Sequence, residues 1–192
     1  MDRLRAAIDL AFDAHAGQVD KAADPYIWHI LRVGMSLLPD MEAAIVGLLH
    51  DAIEDSPLPT VTARMINSDL GLRIETCVIA LTRLHGQTYA EYIHSIATHP
   101  DPIVRQVKIA DLYDNLRIDR LLRAAANGAD IAALVTKYTH ALRRLLADQF
   151  PSAPRFMVVG GGDYCFAHNW SVIGENKLCP CCDFLRLKSQ LR

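Results

Sequence analysis

An apolar run with a charged end sets the terms for this chain. Ala43-Ala44-Ile45-Val46-Gly47-Leu48-Leu49 leads directly into His50-Asp51-Ala52-Ile53-Glu54-Asp55, which places an imidazole and three carboxylates within six residues. The run has no structural need of them. Adjacent like charges repel, and beside a buried surface they are costly unless a cation compensates them. If residues 42–52 are helical, Asp51 lies three residues from Glu54 and four from Asp55, and all three project from one side. Two readings follow. Either this is a metal site with acid/base groups beside it, or Glu54 and Asp55 are solvated loop residues and His50 is a satisfied core histidine.

A hard or borderline divalent ion takes about four to six N/O donors, so two adjacent residues cannot hold it alone. Two further positions stand out. His29 follows Pro25-Tyr26-Ile27-Trp28 and opens a helical pattern of Ile30, Val33 and Leu37. Asp111 lies in an amphipathic stretch, 104–117, in which Lys108, Asp111 and Asn115 recur at spacings of three and four and form one polar stripe. Such a stripe is also what the wet face of a surface helix looks like.

Taken in order, Ala14-His15-Ala16-Gly17-Gln18, Lys21, Pro25-Tyr26-Ile27-Trp28-His29, Leu48 to Asp55, Val107-Lys108-Ile109-Ala110-Asp111 and Asn115-Leu116-Arg117 resemble the HD-type hydrolase domain of the RelA/SpoT alarmone enzymes and their small stand-alone relatives. The resemblance covers about residues 3 to 148. Several separated motifs in the right order are far more specific than one His-Asp pair. The resemblance implies an all-α HD-domain helical bundle. It also implies His29, His50, Asp51 and Asp111 as ligands of one divalent ion, usually manganese, and Glu54 and Asp55 as the pair that handles the attacking water. The family reaction removes the 3′ pyrophosphate from guanosine tetra- or pentaphosphate.

Two stretches depart from the family pattern. Val19-Asp20-Lys21-Ala22-Ala23-Asp24 stands where the alarmone hydrolases usually carry an Arg-Lys pair whose arginine packs on the guanine, so Asp20 replaces a stacking cation with an anion. Its charge is expected to repel phosphates. Leu112-Tyr113-Asp114 stands where Arg-Leu-His is usual. The expected function is a metal-dependent phosphohydrolase of the guanosine 3′,5′-bis(diphosphate) 3′-pyrophosphohydrolase type. The alternatives are an HD hydrolase for a different nucleotide or phosphorylated metabolite, and a non-catalytic nucleotide-binding module, which ought to have lost ligands.

Phosphate esters are already anionic, so attack on them is slow unless a cation offsets the charge and delivers a deprotonated water. Lys21, Lys108 and Arg117 are expected to neutralise the remaining phosphates, and Asn115 to bond the sugar or a phosphate. Two imidazoles argue for manganese, iron, zinc or cobalt over magnesium. The formal net charge of −2, with both signs mixed along the chain, gives no basic excess to attract nucleic acid. No secretion signal and no apolar run of ~18 residues is visible, which predicts a cytoplasmic protein without a membrane span. Oligomeric state is not legible.

The first three-quarters of the chain reads as successive helices. Asp40 caps the one that ends at His50-Asp51, Thr88 to Glu91 has the form of a capping box, and Asp101-Pro102 reads as an N-cap followed by proline. A last helix carries Leu134, Lys137, Tyr138 and Leu142. Residues 1–150 are assigned to the phosphohydrolase domain and 151–192 to a Gly/Cys-containing extension. Val158-Val159 is the one strand candidate, and Gly160-Gly161-Gly162 after it reads as a flexible link. Four of the five cysteines lie in the extension. Cys165-x2-His168 and Cys179-x2-Cys182 fit the spacing of a small structural zinc site, with Cys181 a non-ligand. The alternative is a loosely ordered extension.

Overall fold

The computed structural model describes residues 3–55 and 59–147, with two short segments of backbone at 164–165 and 170–171. The described residues form nine helices: α1 (Arg3–Ala14), α2 (Ile27–Ser36), α3 (Met41–Leu49), α4 (Pro59–Leu70), α5 (Leu72–Leu81), α6 (Tyr89–Ala97), α7 (Pro102–Asn115), α8 (Ile118–Ala126) and α9 (Ile131–Leu146). The caps lie where the sequence puts them. Asp40 accepts from the Ala43 amide at 3.1 Å, Thr88 and Glu91 make the full capping box of α6, and Asp101 accepts from the Ile103 amide at 3.0 Å ahead of Pro102. Each such cap is worth about 1 kcal/mol.

A helix that is apolar all round belongs in the middle of a bundle. Every residue of α3 from Ala43 to Leu49 is buried, and α1, α2, α5 and α7 pack around it. Two glycines let α2 approach closely. A Cβ on Gly47 would lie 2.8 Å from Leu37 Cδ1 and 3.0 Å from Gly34 Cα, and one on Gly34 would lie 2.6 Å from Leu48 Cγ. This near backbone-to-backbone contact brings His29, on α2, beside His50 at the end of α3, with ring centroids 5.3 Å apart.

The helix ends sooner than the residue pattern suggests, at Leu49 and not at Ala52. The His50 imidazole takes the Gly47 carbonyl through Nδ1 at 2.8 Å, and the Ala52 amide reaches back only three residues, to Leu49 O at 2.9 Å. The chain therefore tightens into a turn, and His50-Asp51 point out of the bundle core towards α2 and α7. Helix α7 packs on α2, α3 and α9, with Lys108, Asp111 and Asp114 buried. Its polar stripe faces inward and is not the wet face of a surface helix.

One pairing went unread in the sequence. Strands β1 (Tyr164–Cys165) and β2 (Trp170–Ser171) are antiparallel, with Tyr164 opposite Ser171 and Cys165 opposite Trp170. Two residues are too few to show an alternating pattern. Val158-Val159, the triple glycine, His168, Cys179 and Cys182 lie outside the described residues, so the expected zinc site does too. Among the described residues, no helix is long and apolar enough to cross a membrane.

Candidate metal centre and pocket

Four side chains from three helical segments converge where α2, the end of α3 and α7 meet. His50 Nε2 lies 3.0 Å from Asp51 Oδ2 and 3.8 Å from Asp111 Oδ1, and His29 Nε2 lies 3.2 Å from the same Asp111 oxygen. One ligand atom from each of His29, His50 and Asp51 fits within a 4.8 Å span. The imidazoles are buried, at 2% and 1% exposure. His50 Nε2 is close to Asp51 but not aligned with it, and has no hydrogen-bond partner. A buried imidazole nitrogen without a hydrogen-bond partner, facing two carboxylates, belongs to a donor set that suits a cation.

The surrounding groups fix which nitrogens face inward. His50 Nδ1 donates to the Gly47 carbonyl. His29 Nδ1 lies 2.7 Å from Asp114 Oδ2, and because a carboxylate only accepts, Nδ1 carries the proton and Nε2 is left facing the centre. A ligating histidine that gives its other N–H to a carboxylate or carbonyl is the usual support of a metal site. Asp111 is held from behind by Lys108 Nζ at 2.7 Å and by Asn115, and Tyr26 OH donates to Asp51 Oδ2 at 2.6 Å.

The electrostatics show a site short of positive charge. Burial works against charging His50, but Asp51 and Asp111 outweigh it and push its pKa up to about 10. Burial would likewise raise the Asp51 and Asp111 carboxyls, yet His50 holds the first, and Lys108 foremost the second, well below the usual carboxylate range. Asp55 goes the other way. Burial, and then the Asp51 charge, raise its carboxyl. That moves it towards the range in which a group can exchange protons with water near neutrality.

Asp51 and Asp111 of this centre line a pocket of about 410 Å³. Glu54 and Asp55 line it too, together with Asp20, Lys21, Lys108 and Asn115, and Arg83, Arg120 and Lys137 add three cations that were not expected there. Lys137 Nζ sits 4.2 Å above the Tyr89 ring, and burial and then the charges of Lys21, Arg83 and Lys108 lower its pKa. Cations crowded this closely suit an anionic ligand. Glu54 is exposed and accepts from the Arg83 amide at 3.1 Å. Asp55 lies 3.9 Å from the His15 imidazole, whose Nδ1 is 2.6 Å from Gln18 Oε1.

Two sequence expectations need correction. Arg117 does not line this pocket. It pairs with Asp119 at 3.1 Å and borders a separate hollow of about 950 Å³ with Arg32 and Met35, because it caps α8 after the chain has left the α7 stripe. Nor is Asp20 a free anion facing phosphates. Its side chain is 5% exposed and paired with Arg120 Nη2 at 2.9 Å. Asp114 and Arg120 were missed altogether. Asp114 is legible in hindsight, one turn after Asp111, whereas the bond between Arg120 and Asp20 spans 100 residues and has no local signal.

No family model matches the chain. Sequence relatives do. It is 30% identical over 127 residues, 60% of this chain, to the guanosine-3′,5′-bis(diphosphate) 3′-pyrophosphohydrolase of Aquifex aeolicus, of which it covers 18%. It is also 30% identical over 128 residues, 62% of this chain, to the bifunctional (p)ppGpp synthase/hydrolase RelA of Mycobacterium tuberculosis, of which it covers 17%. The chain is similar to these RelA/SpoT enzymes over about three-fifths of its length. It spans less than a fifth of the length of either relative. A probable GTP pyrophosphokinase of Mycobacterium leprae is likewise 30% identical, over 62% of this chain and 16% of that protein. Among solved structures, one described as a metazoan ortholog of SpoT that hydrolyses ppGpp superposes with a TM-score of 0.53 at 19% identity, over 75% of this chain and 96% of that one. That likeness shows a shared helical fold, which here is carried by α1 to α9.

Proposed function

We propose that this RelA/SpoT relative is a metal-dependent phosphohydrolase that removes the 3′ pyrophosphate from guanosine 3′,5′-bis(diphosphate), with residues 1–150 as its catalytic domain in the cytoplasm. One observation carries the reading. The orphaned Nε2 of His50 stands beside His29, Asp51 and Asp111, and the two aspartates line a pocket that also holds Glu54, Asp55, Lys21, Lys108 and Lys137. The name of the Aquifex relative supports the substrate and bond.

His29, His50, Asp51 and Asp111 would hold one divalent ion, with manganese favoured because two imidazoles suit it better than magnesium. When bound, the ion supplies positive charge against a phosphoryl oxygen and acidifies a water. Asp55, with its carboxyl raised by burial, would take the proton of the attacking water or return one to the leaving group, and Glu54 would share that task from the pocket rim. Lys21, Lys108 and Lys137 would bind and orient the phosphates, and Asn115 would bond the sugar or a phosphate. Arg117 has no part. The pairing of Asp20 with Arg120 supports the guanine alarmone, since the anion thought to repel it is already neutralised.

The test is a substrate panel assayed with manganese. Guanosine and adenosine tetraphosphates, nucleoside triphosphates, a phosphorylated dinucleotide cofactor and an aryl phosphate are compared by phosphate and pyrophosphate release. Pyrophosphate release from the guanosine tetraphosphate at the highest kcat/KM is expected. A higher value for another compound replaces the substrate. No turnover of any, with metal bound, leaves a binding module.

A further inference from the structure

The loop between α1 and α2 is more tightly bonded than its length requires. Asp20 at its centre accepts from the amides of Ala22 at 2.7 Å and Asp24 at 3.1 Å, its own amide donates to the Asp24 carbonyl at 2.9 Å, and Ala23 turns the chain at φ 60°. The loop edges pair through a single bridge between Val19 and Pro25. Both amides bind Oδ1, so the loop leaves Oδ2 unused. That oxygen receives Nε and Nη2 of Arg120, at 3.2 and 2.9 Å.

The other branch of that guanidinium, Nη1, donates to Asp114 Oδ2 and lies 2.9 Å from His29 Nδ1. Asp114 also takes Arg32 Nε through Oδ1 at 2.6 Å. Burial would raise its carboxyl, but bonds from His29 and Arg32 and the charge of Arg120 hold it well below the usual range. All three nitrogens of Arg120 are thus used inside the protein, and its side chain and those of its two partners are each under 10% exposed. Burying three charges together carries a desolvation cost that a simple packing contact would avoid.

We propose that Arg120 is a positioning residue that links the pocket loop to the metal centre. One guanidinium fixes Asp20, and with it the loop carrying Lys21, and at the same time fixes Asp114, which sets the orientation of His29. The inference rests on the reading of His29 as a metal ligand. Without Arg120, Asp114 is held by Arg32 from one side only and His29 loses part of its support. Lysine keeps the charge but cannot replace the fork, because a single ammonium does not span two carboxylates as a planar five-donor group does.

The test uses the full chain, stripped with a chelator, dialysed and titrated with Mn2+ by calorimetry. Asp114→Asn and Arg120→Gln are expected to weaken Mn2+ binding by about 10- to 100-fold, the scale of lost outer-shell partners. Arg120→Lys is expected to recover less than half of that loss on a logarithmic scale. Asp20→Asn, which touches no ligand, is expected to weaken Mn2+ by about threefold or more, and the double variant with Asp114→Asn to bind no worse than Asp114→Asn alone, the non-additivity of a shared bridge. KM for guanosine tetraphosphate should rise in Asp20→Asn more than kcat falls.

Wild-type Mn2+ affinity in Arg120→Gln or in Asp20→Asn, or losses in the double variant that simply multiply, would overturn the proposal. Circular dichroism separates this from unfolding; where Arg120→Gln loses helical signal, Arg120→Lys and Asp20→Asn decide. The titration needs no substrate. Absence of turnover therefore refutes the pyrophosphohydrolase reading alone, whereas a wild-type protein that binds no Mn2+ refutes the metal centre and this proposal together.

Discussion

Lys108 offers a direct test of how the centre is balanced, because it supplies the nearest full positive charge to a buried ligand. Its Nζ lies 2.7 Å from Asp111 Oδ2 and 5.1 Å from the centroid of the Tyr92 ring. Lys108→Met keeps most of the volume and removes the charge. Breaking a buried ion pair by deleting one partner costs about 3–5 kcal/mol, since the other charge is left uncompensated. At about 2–4 °C per kcal/mol for a chain of this size, that predicts a fall in Tm of about 6–20 °C in the presence of chelator. Manganese should then shrink the deficit. Asp111, freed of its ammonium, attracts a cation more strongly, so Mn2+ binds the variant more tightly and stabilises it by more than the ~2.7 kcal/mol that a ligand at 100 times its Kd supplies. Differential scanning fluorimetry of both proteins, with chelator and with Mn2+, gives the four midpoints. Equal deficits with and without Mn2+ would show that Lys108 is a packing residue. No deficit at all would show that His29 and Asn115 satisfy Asp111 unaided.

Asp51→Ala should remove the ion from the purified protein by elemental mass spectrometry, abolish hydrolysis and cancel the thermal stabilisation that Mn2+ gives the wild type; full metal content would misplace the site. Glu54→Gln with Asp55→Asn should leave Mn2+ affinity intact and lower kcat by ~100-fold or more, the scale of lost acid/base help. The acid limb of the rate profile provides a sign check on Asp55. A base must be deprotonated, and because its pKa is raised, activity should fall as pH drops through a midpoint above that of an ordinary carboxylate, a limb that Asp55→Asn alone should remove. Asp20→Arg should lower activity on guanosine tetraphosphate and not restore it, since the new guanidinium would face Arg120 across a buried contact; a gain would mean that the loop rearranges and that Arg120 is dispensable.

Local patterns carried the fold. Asp40, Thr88 with Glu91, and Asp101 with Pro102 each announce a helix start through a bond made within four residues, and such bonds are visible in a linear string. What the string does not show is how closely helices pass. Gly34 and Gly47 look like weak points in two helical runs, yet a Cβ at either would collide with the neighbouring helix, and that contact sets the distance between His29 and His50. The early end of α3 was hidden for a related reason. Ala52 and Ile53 continue the apolar pattern and are buried, but they sit in a turn whose start is set by the His50 side chain taking a backbone carbonyl.

The candidate site divides along the same line. The candidate ligands and acid pair were legible as motifs, although His50 to Asp55 lie in the turn beyond α3 and not on the helix their spacing suggested, and the inward face of α7 shows only in the burial of Lys108, Asp111 and Asp114. Asp20 was misread because a charge was judged without its counter-charge. Read alone, an aspartate where a cation is usual implies repulsion of phosphates. Placed against Arg120 it has a counter-charge, which it shares with Asp114. The second branch of the same arginine reaches Asp114 and the back of His29, so the two stretches that depart from the RelA/SpoT pattern, one in the loop and one in α7, are joined by a single side chain.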